Sequence, residues 1–574
     1  MMKVILTTLI GYVLCSSLLA QQRSWGEFPM VPSKSFAAKA SSVNKVKDTP
    51  EYAKALKVYE KLCQARGDFR YPVPEFYMTR ERTIAKIDYG TNPTIYLSDT
   101  AFAVCETFGD QSEAAIAFLL GHELTHYYEK HAWRSSFSYD HDTLKTSRRL
   151  DVLFQDMLKA SAGNAKLRAN LMRFDTLLHQ FEDLAMEAQS DYLGGFLAYS
   201  AGYGRFSQSD ELIRRLYKAF SIPDELEGYV TRSEREDMSR QSTQKLQEFI
   251  EVFDMANWLT ITGLYEEAYR YYRLILSEYQ SREIYNNVGA TAMFQALKLF
   301  SAQELSFRYP VQLDLEMASS RGEDEITRRN KLLRQAILHF DAAISLDGDY
   351  APAYLNKACA LALLNEPVRA TYYADVEARR TAIGKYATNI PYIEVLLGII
   401  SAQSKTAAGD QAAKAKFELA MKTDKTGIAA HNLAILLKQP PPVPVESTTN
   451  EFFDDEAIDG ESPFQILFPD TDKSLTIDEV LEFEQNTQKS KQYKLFVSRK
   501  SKKTSALFQA TNPDYKGETA RGIKIGASQQ MIITKYGQPI QVIYTPTGQI
   551  MRYAEVIFVM KGDALERWIL YSVK

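Results

Sequence analysis

The chain of 574 residues holds seven histidines, and two of them stand four apart in the stretch GHELTHYYEKH. On a helix, positions four apart share a face. The imidazoles of His122 and His126 can therefore hold one cation, and zinc suits that donor pair. Glu123 lies one step round the helix, where a carboxylate can take a proton from an attacking water. A catalytic zinc needs a third protein ligand and one open position. Further along, FEDLAMEAQSDYLGGFLAYSAGYG offers Glu187 and Asp191, again four apart on one helical face.

Two known ways of supplying the third ligand are absent near the motif. Glu129 and Ala132 stand where a metzincin has glycine and histidine. Residues 146 to 151 read TSRRLD, so no suitable glutamate sits at the thermolysin-like distance. The pattern instead resembles the gluzincin peptidases of the HtpX and CAAX prenyl protease group, and most closely their soluble, repeat-bearing BepA-like members. HExxHxxxxH is met by His122, Glu123, His126 and His131, ExxAD by Glu187 and Asp191 with Ser190 in place of alanine, and AGY by Ala201, Gly202 and Tyr203. The resemblance implies one zinc ion held by His122, His126 and Glu187. It also implies that Asp191 accepts a hydrogen bond from a ligand histidine. For the oxyanion, relatives of this kind use a His-Pro and a following arginine. Here GYVTRSERE offers Tyr229 in the histidine's place and Arg235 in the arginine's, so both are candidate catalytic residues; the alternative is that they are surface residues. His131 reads as a packing residue. The implied reaction is peptide hydrolysis, with Thr94–Ser98 resembling the edge strand on which substrate backbone pairs.

Several elements must position these residues. The sequence predicts a helix over 51–66, a strand over 94–98, and a buried helix over 113–132 with Ser112 as its N-cap. Residues 133–180 read as a long polar helical insertion able to cover the cleft. From about 247 to 438 helix follows helix, and Ala268, Ala302, Ala336 and Ala370 recur every 34 residues. That is the period of tetratricopeptide helix pairs, with Ala413, Phe417 and Ala420 repeating the motif later. Chance alanine spacing in a generic helical bundle is the competing account. Residues 439–463 concentrate proline and acid, which marks a linker. KLFVSRK, GIKIG, QVIYTPTGQIMRYA and VIFVMKGDALERWILYSV beyond it read as strands around a helix, SQQMIITKYG.

The expected fold is therefore mainly α: a zincin-type α+β metallopeptidase domain (21–245), a tetratricopeptide-like α-solenoid (246–438), a linker (439–470) and a small α+β domain (471–574). Residues 1–20 read as a secretory signal peptide, with one lysine, an apolar run from Val4 to Leu14 and small residues up to Ala20. No later run reaches the roughly 18 to 20 apolar residues of a membrane span. Of the remaining cysteines, Cys63 and Cys105 either bridge or stay as two buried thiols, and Cys359 falls in a core helix. Hydrophobic residues are 45% of the chain and charged residues 24%, so packed domains are expected. A net charge of −4 gives no basic field for nucleic acid. Two readings compete. One is an exported zinc endopeptidase of a bacterial periplasm or cell envelope, peripheral to the membrane at most, whose repeats hold protein partners and whose substrates are unfolded or misassembled proteins. The other is a tetratricopeptide adaptor or chaperone with a closed or non-catalytic zinc site, which an intact Glu123 disfavours.

Overall fold

A computed structural model describes residues 45–89, 92–129, 187–204, 206–222, 232–301, 304–310, 325–440, 455–463, 473–486, 493–545 and 548–573. The signal-peptide reading, His131, the 133–180 insertion, Tyr229, Ala302 and most of the 439–470 linker lie outside them. The described chain is mainly helical and divides into two compact units. The first comprises the described residues up to Ala65, Pro72–Gln247 and Ser277–Tyr279, and the second comprises the rest.

The first unit opens with β1 (Lys45–Val46), α1 (Pro50–Arg66), β2 (Glu75–Thr79), β3 (Ala85–Asp88) and β4 (Thr94–Ser98). These strands form one sheet in the order β1-β2-β4-β3. The expected edge strand, Thr94–Ser98, is an interior strand: β4 pairs parallel with β2 and antiparallel with β3, and every one of its residues is buried. The edge belongs to β3. Ser98 N–H donates to the Ile84 carbonyl at 3.1 Å, which makes alternate residues of β3, Lys86 and Asp88, the hydrogen-bonded partners of β4. The amides of Ala85 and Ile87 therefore face outward from the sheet. Helices α2 (Asp99–Glu106) and α3 (Ser112–Tyr128) follow. Ser112 is the first residue of α3 rather than its cap: Gln111 stands at the N-cap with no side-chain cap, and the Ser112 hydroxyl accepts from Lys54 Nζ at 3.0 Å.

A helix over 187–198, here α4, runs into a π-helical turn, Tyr199–Tyr203, that ends where Gly202 and Gly204 take positive φ. Then come α5 (Ser209–Phe220) and the first half of the long helix α6 (Arg232–Ile261). Gly121 on α3 and Gly194 on α4 lie at the crossing of their helices. A Cβ on Gly194 would stand 2.6 Å from both Gly121 C and His122 N, and a Cβ on Gly121 would stand 2.6 Å from Gly194 O. Only glycine lets the two backbones come this close. Cys63 and Cys105 are buried free thiols, not a disulfide, and Cys359 is likewise free and buried.

The second unit holds four consecutive helix pairs: α7 (Tyr265–Glu278) with α8 (Arg282–Leu297), α9 (Glu325–Leu346) with α10 (Ala351–Leu363), α11 (367–381, π-helical over Tyr372–Ala378) with α12 (Ile390–Gln403), and α13 (Ala407–Ala420) with α14 (Ile428–Leu436). The second helix of each pair touches the second helix of the next. Ala268, Ala336, Ala370 and Ala413 are fully buried, as small residues at helix contacts must be. Glycines open two more close approaches, Gly289 under the Phe340 ring and Gly398 under the Phe417 ring.

An antiparallel sheet of eight strands completes this unit, in the order β5-β6-β7-β8-β12-β11-β10-β9. The strands are β5 (Lys473–Thr476), β6 (Leu481–Asn486), β7 (Tyr493–Lys500), β8 (Lys503–Thr511), β9 (Gln541–Thr545), β10 (Gly548–Arg552), β11 (Val556–Lys561) and β12 (Ala564–Val573), with α15 (Gln529–Tyr536) before β9. Trp568 and Tyr536 pack with Leu495 and Leu507 in one core, while Phe496 and Phe508 meet Trp258 of α6. GIKIG is not a strand. Gly522 and Gly526 both take positive φ there, as turns require.

Candidate active site

Helices α3 and α4 bring together the donor groups of three residues, the last of them 65 positions after the first in the chain. His126 Nε2 lies 3.0 Å from His122 Nε2, and Glu187 reaches both, Oε2 at 3.3 Å from His122 Nε2 and Oε1 at 3.3 Å from His126 Nε2. Around an ion with bonds of about 2.0–2.1 Å, tetrahedral ligands stand about 3.3 Å apart. The observed spacings match those edges, so the three residues fit zinc. They form the one group of metal-ligating side chains found among the described residues. Glu187 is 40% exposed, which leaves the group open on one side.

Behind the donors lies a buried relay. Asp191, one turn after Glu187 and 1% exposed, contacts His122 Nδ1 through Oδ1 at 2.9 Å. A carboxylate can only accept, so Nδ1 carries the hydrogen and Nε2 is directed into the donor cluster. Arg235, from the first turn of α6, grips Asp191 with two hydrogen bonds, Nη1 to Oδ2 at 2.5 Å and Nη2 to Oδ1 at 2.9 Å. Its Nη2 also stands 3.8 Å from Glu187 Oε2. The structure thus places Arg235 behind the ligands as the partner of Asp191, not on an exposed surface. The Ser242 hydroxyl, two turns along α6, donates to the Ala188 carbonyl at 3.2 Å and ties the same two helices.

The charges in the cluster are strongly coupled. Burial would lower the pKa of His122, but Glu187 and Asp191 outweigh it and raise the metal-free imidazole to about 10. Burial would raise Glu187, yet His122 and His126 hold its carboxyl far below the usual range. Asp191 is likewise pushed up by burial and pulled down further by Arg235 and His122, and it remains ionised. Glu123 differs. Burial lifts its carboxyl above the usual carboxylate value against the opposing pull of His122 and His126. A carboxylate with a raised pKa is a better proton acceptor near neutrality. The backbone of Ile87 on β3 also pulls the Glu123 carboxyl down slightly, and α3 packs against β3, so the base lies near the open sheet edge as well as the donor cluster.

Three contributors escape a reading of motifs alone. Gly194 is one half of the Gly194–Gly195 pair, and its only sequence signal is two glycines inside an apolar helix, a costly choice unless packing demands it. Gly121 directly precedes the first ligand. Ile87 acts through its backbone and leaves no signal in residue type. Tyr229 lies outside the described residues.

No curated protein matches the chain. Residues 74–228, which begin at β2 and take in both ligand-bearing helices, match the profile of peptidase family M48, whose members are zinc-dependent, and this part of the chain points to a metalloprotease.

Proposed function

We propose that the chain is a zinc endopeptidase in which His122, His126 and Glu187 hold the ion. The observation that carries this reading is the convergence of two imidazole nitrogens 3.0 Å apart with the Glu187 carboxylate, whose two oxygens each stand 3.3 Å from one of them, and a carboxylate base beside them. Bound zinc would supply Lewis-acid polarisation of a scissile carbonyl and acidify a water. Glu123 then accepts that water's proton and returns it to the leaving amine. Asp191 keeps His122 in the tautomer that presents Nε2, and Arg235 keeps Asp191 ionised and in place. The outward amides of Ala85 and Ile87 hold an extended substrate backbone along β3, which favours unfolded or flexible chains. Tyr229 remains a candidate donor to the oxyanion.

The finer reading places this activity in the envelope of a bacterium, after export directed by residues 1–20. No described helix is long and apolar enough to cross a membrane. The paired helices from 265 to 436, with Ala268, Ala336 and Ala370 buried two and one 34-residue intervals apart, support a tetratricopeptide-type array that binds protein partners or clients. The experiment that tests the peptidase reading compares casein degradation by the purified full chain, the chelated chain, the chain restored with zinc, and Glu187→Gln. Activity that disappears with chelation, returns with zinc and is lost in Glu187→Gln supports it. Activity that survives chelation overturns it.

A further inference from the structure

The residues that continue β3 indicate which peptide the site accepts. Side chains alternate along a strand, so Tyr89 falls on the same face as Ile87. Its position agrees: the Tyr89 ring lies 6.4 Å from the ring of Tyr127, on α3, with planes inclined by 30°. Tyr127 follows the ligand His126 directly, and its hydroxyl donates to the Pro72 carbonyl at 2.7 Å, which fixes the ring. Tyr89 is 40% exposed. A ring fixed by its hydroxyl and a partly exposed ring therefore stand side by side next to the donor cluster.

A peptide paired along the outward edge of β3 places the residues opposite Ile87 and Tyr89 two apart, with both side chains on the α3 face. Glu123 and Tyr127 are four apart on α3 and share a face, and Tyr127 meets Tyr89, so the scissile bond lies beside Ile87. We propose that Tyr89 and Tyr127 form a subsite selecting an aromatic or large aliphatic side chain two residues from the scissile bond. This inference rests on the peptidase reading above. Aromatic faces gain most from offset or edge contact with another ring, and a charged side chain there would lose water without gaining a partner. The substrate class is accordingly chains whose normally buried apolar residues are exposed.

The test digests a random peptide library with the zinc-loaded full chain and maps the cleavage sites by mass spectrometry. It then measures kcat/KM for a peptide pair carrying Phe or Ala at the favoured position. The wild type should favour Phe by about tenfold or more, the scale on which apolar pockets discriminate. Tyr89→Ala and Tyr127→Leu should each reduce that ratio to about twofold, while Tyr127→Phe, which keeps the ring, should preserve it. Bound zinc in each variant shows that the donor cluster has folded. Cleavage without preference at that position, or a preference untouched by both Tyr89→Ala and Tyr127→Leu, overturns the subsite alone. No zinc-dependent cleavage of any peptide overturns the peptidase reading and the subsite with it.

Discussion

Replacing Gly194 by alanine should damage the metal site without touching a ligand. The added methyl would lie 2.6 Å from Gly121 C and from His122 N, and 2.9 Å from Gly121 O. Ordinary carbon contacts are about 3.5–4.0 Å, so α3 and α4 must part by about 1 Å. All three obstructing atoms are backbone, and no side-chain rotation relieves them. Overpacking of this kind costs about 1–3 kcal/mol, which in a unit of this size lowers Tm by about 2–4 °C per kcal/mol. Glu187 rides on the helix that moves, two turns from Gly194. A 1 Å displacement would stretch its 3.3 Å spacings to both histidines beyond the edge of a tetrahedral site. Zinc affinity should fall by about 10- to 100-fold, the effect of disturbing the support of a metal ligand. Competition against a chelator of known affinity measures that loss, and differential scanning calorimetry measures the change in Tm. Gly121→Ala should behave alike, since its methyl meets Gly194 O. A Gly194→Ala protein with unchanged zinc affinity and unchanged Tm would refute the reasoning.

Arg235→Leu strands the buried Asp191 carboxylate and should cost about 3–5 kcal/mol by denaturant unfolding, whereas Asp191→Asn should mainly weaken zinc binding, by about 10- to 100-fold in chelator competition. Because His122 in the metal-free chain keeps its proton up to about pH 10, zinc must displace that proton. Apparent zinc affinity should therefore rise by about tenfold per pH unit across the neutral range, with about one proton released per ion in calorimetry run in buffers of different ionisation enthalpy. In the second unit, burial and the Arg273 guanidinium lower His339 to about 4, while the unfolded value is about 6.5. Between those values the unfolded chain takes up a proton that the folded one does not, so stability falls as pH drops from about 6.5 to 4, by at most about 3 kcal/mol. His339→Gln should flatten that loss in urea titrations at pH 7 and pH 5.

The parts of the site that sequence makes legible are those that helices encode locally. His122 with His126, and Glu187 with Asp191, are each four apart, and one helical turn suffices to align each pair. The pairing of strands is not local, and residue types alone do not disclose it. Thr94–Ser98 is apolar and β-branched because it is buried in the interior of its sheet, whereas the edge strand AKID is short and half charged, as exposed edges often are. The same limit applied beyond the linker. LEFEQN, rich in acidic and amide side chains, carries β6, whereas GIKIG alternates as a strand would but is held by turns at Gly522 and Gly526. Cys63 and Cys105 posed a question of distance that spacing cannot answer.

Cleavage depends on Glu123 as the base. The measurement that tests it most directly is the rate of casein cleavage by wild type and Glu123→Gln, prepared side by side with zinc content determined for both. Glu123→Gln keeps all three donors, so it should bind one zinc per chain and lose cleavage by a factor of about 10² or more. Equal cleavage by the two proteins, or a wild type that is fully zinc-loaded and cleaves nothing, would contradict it.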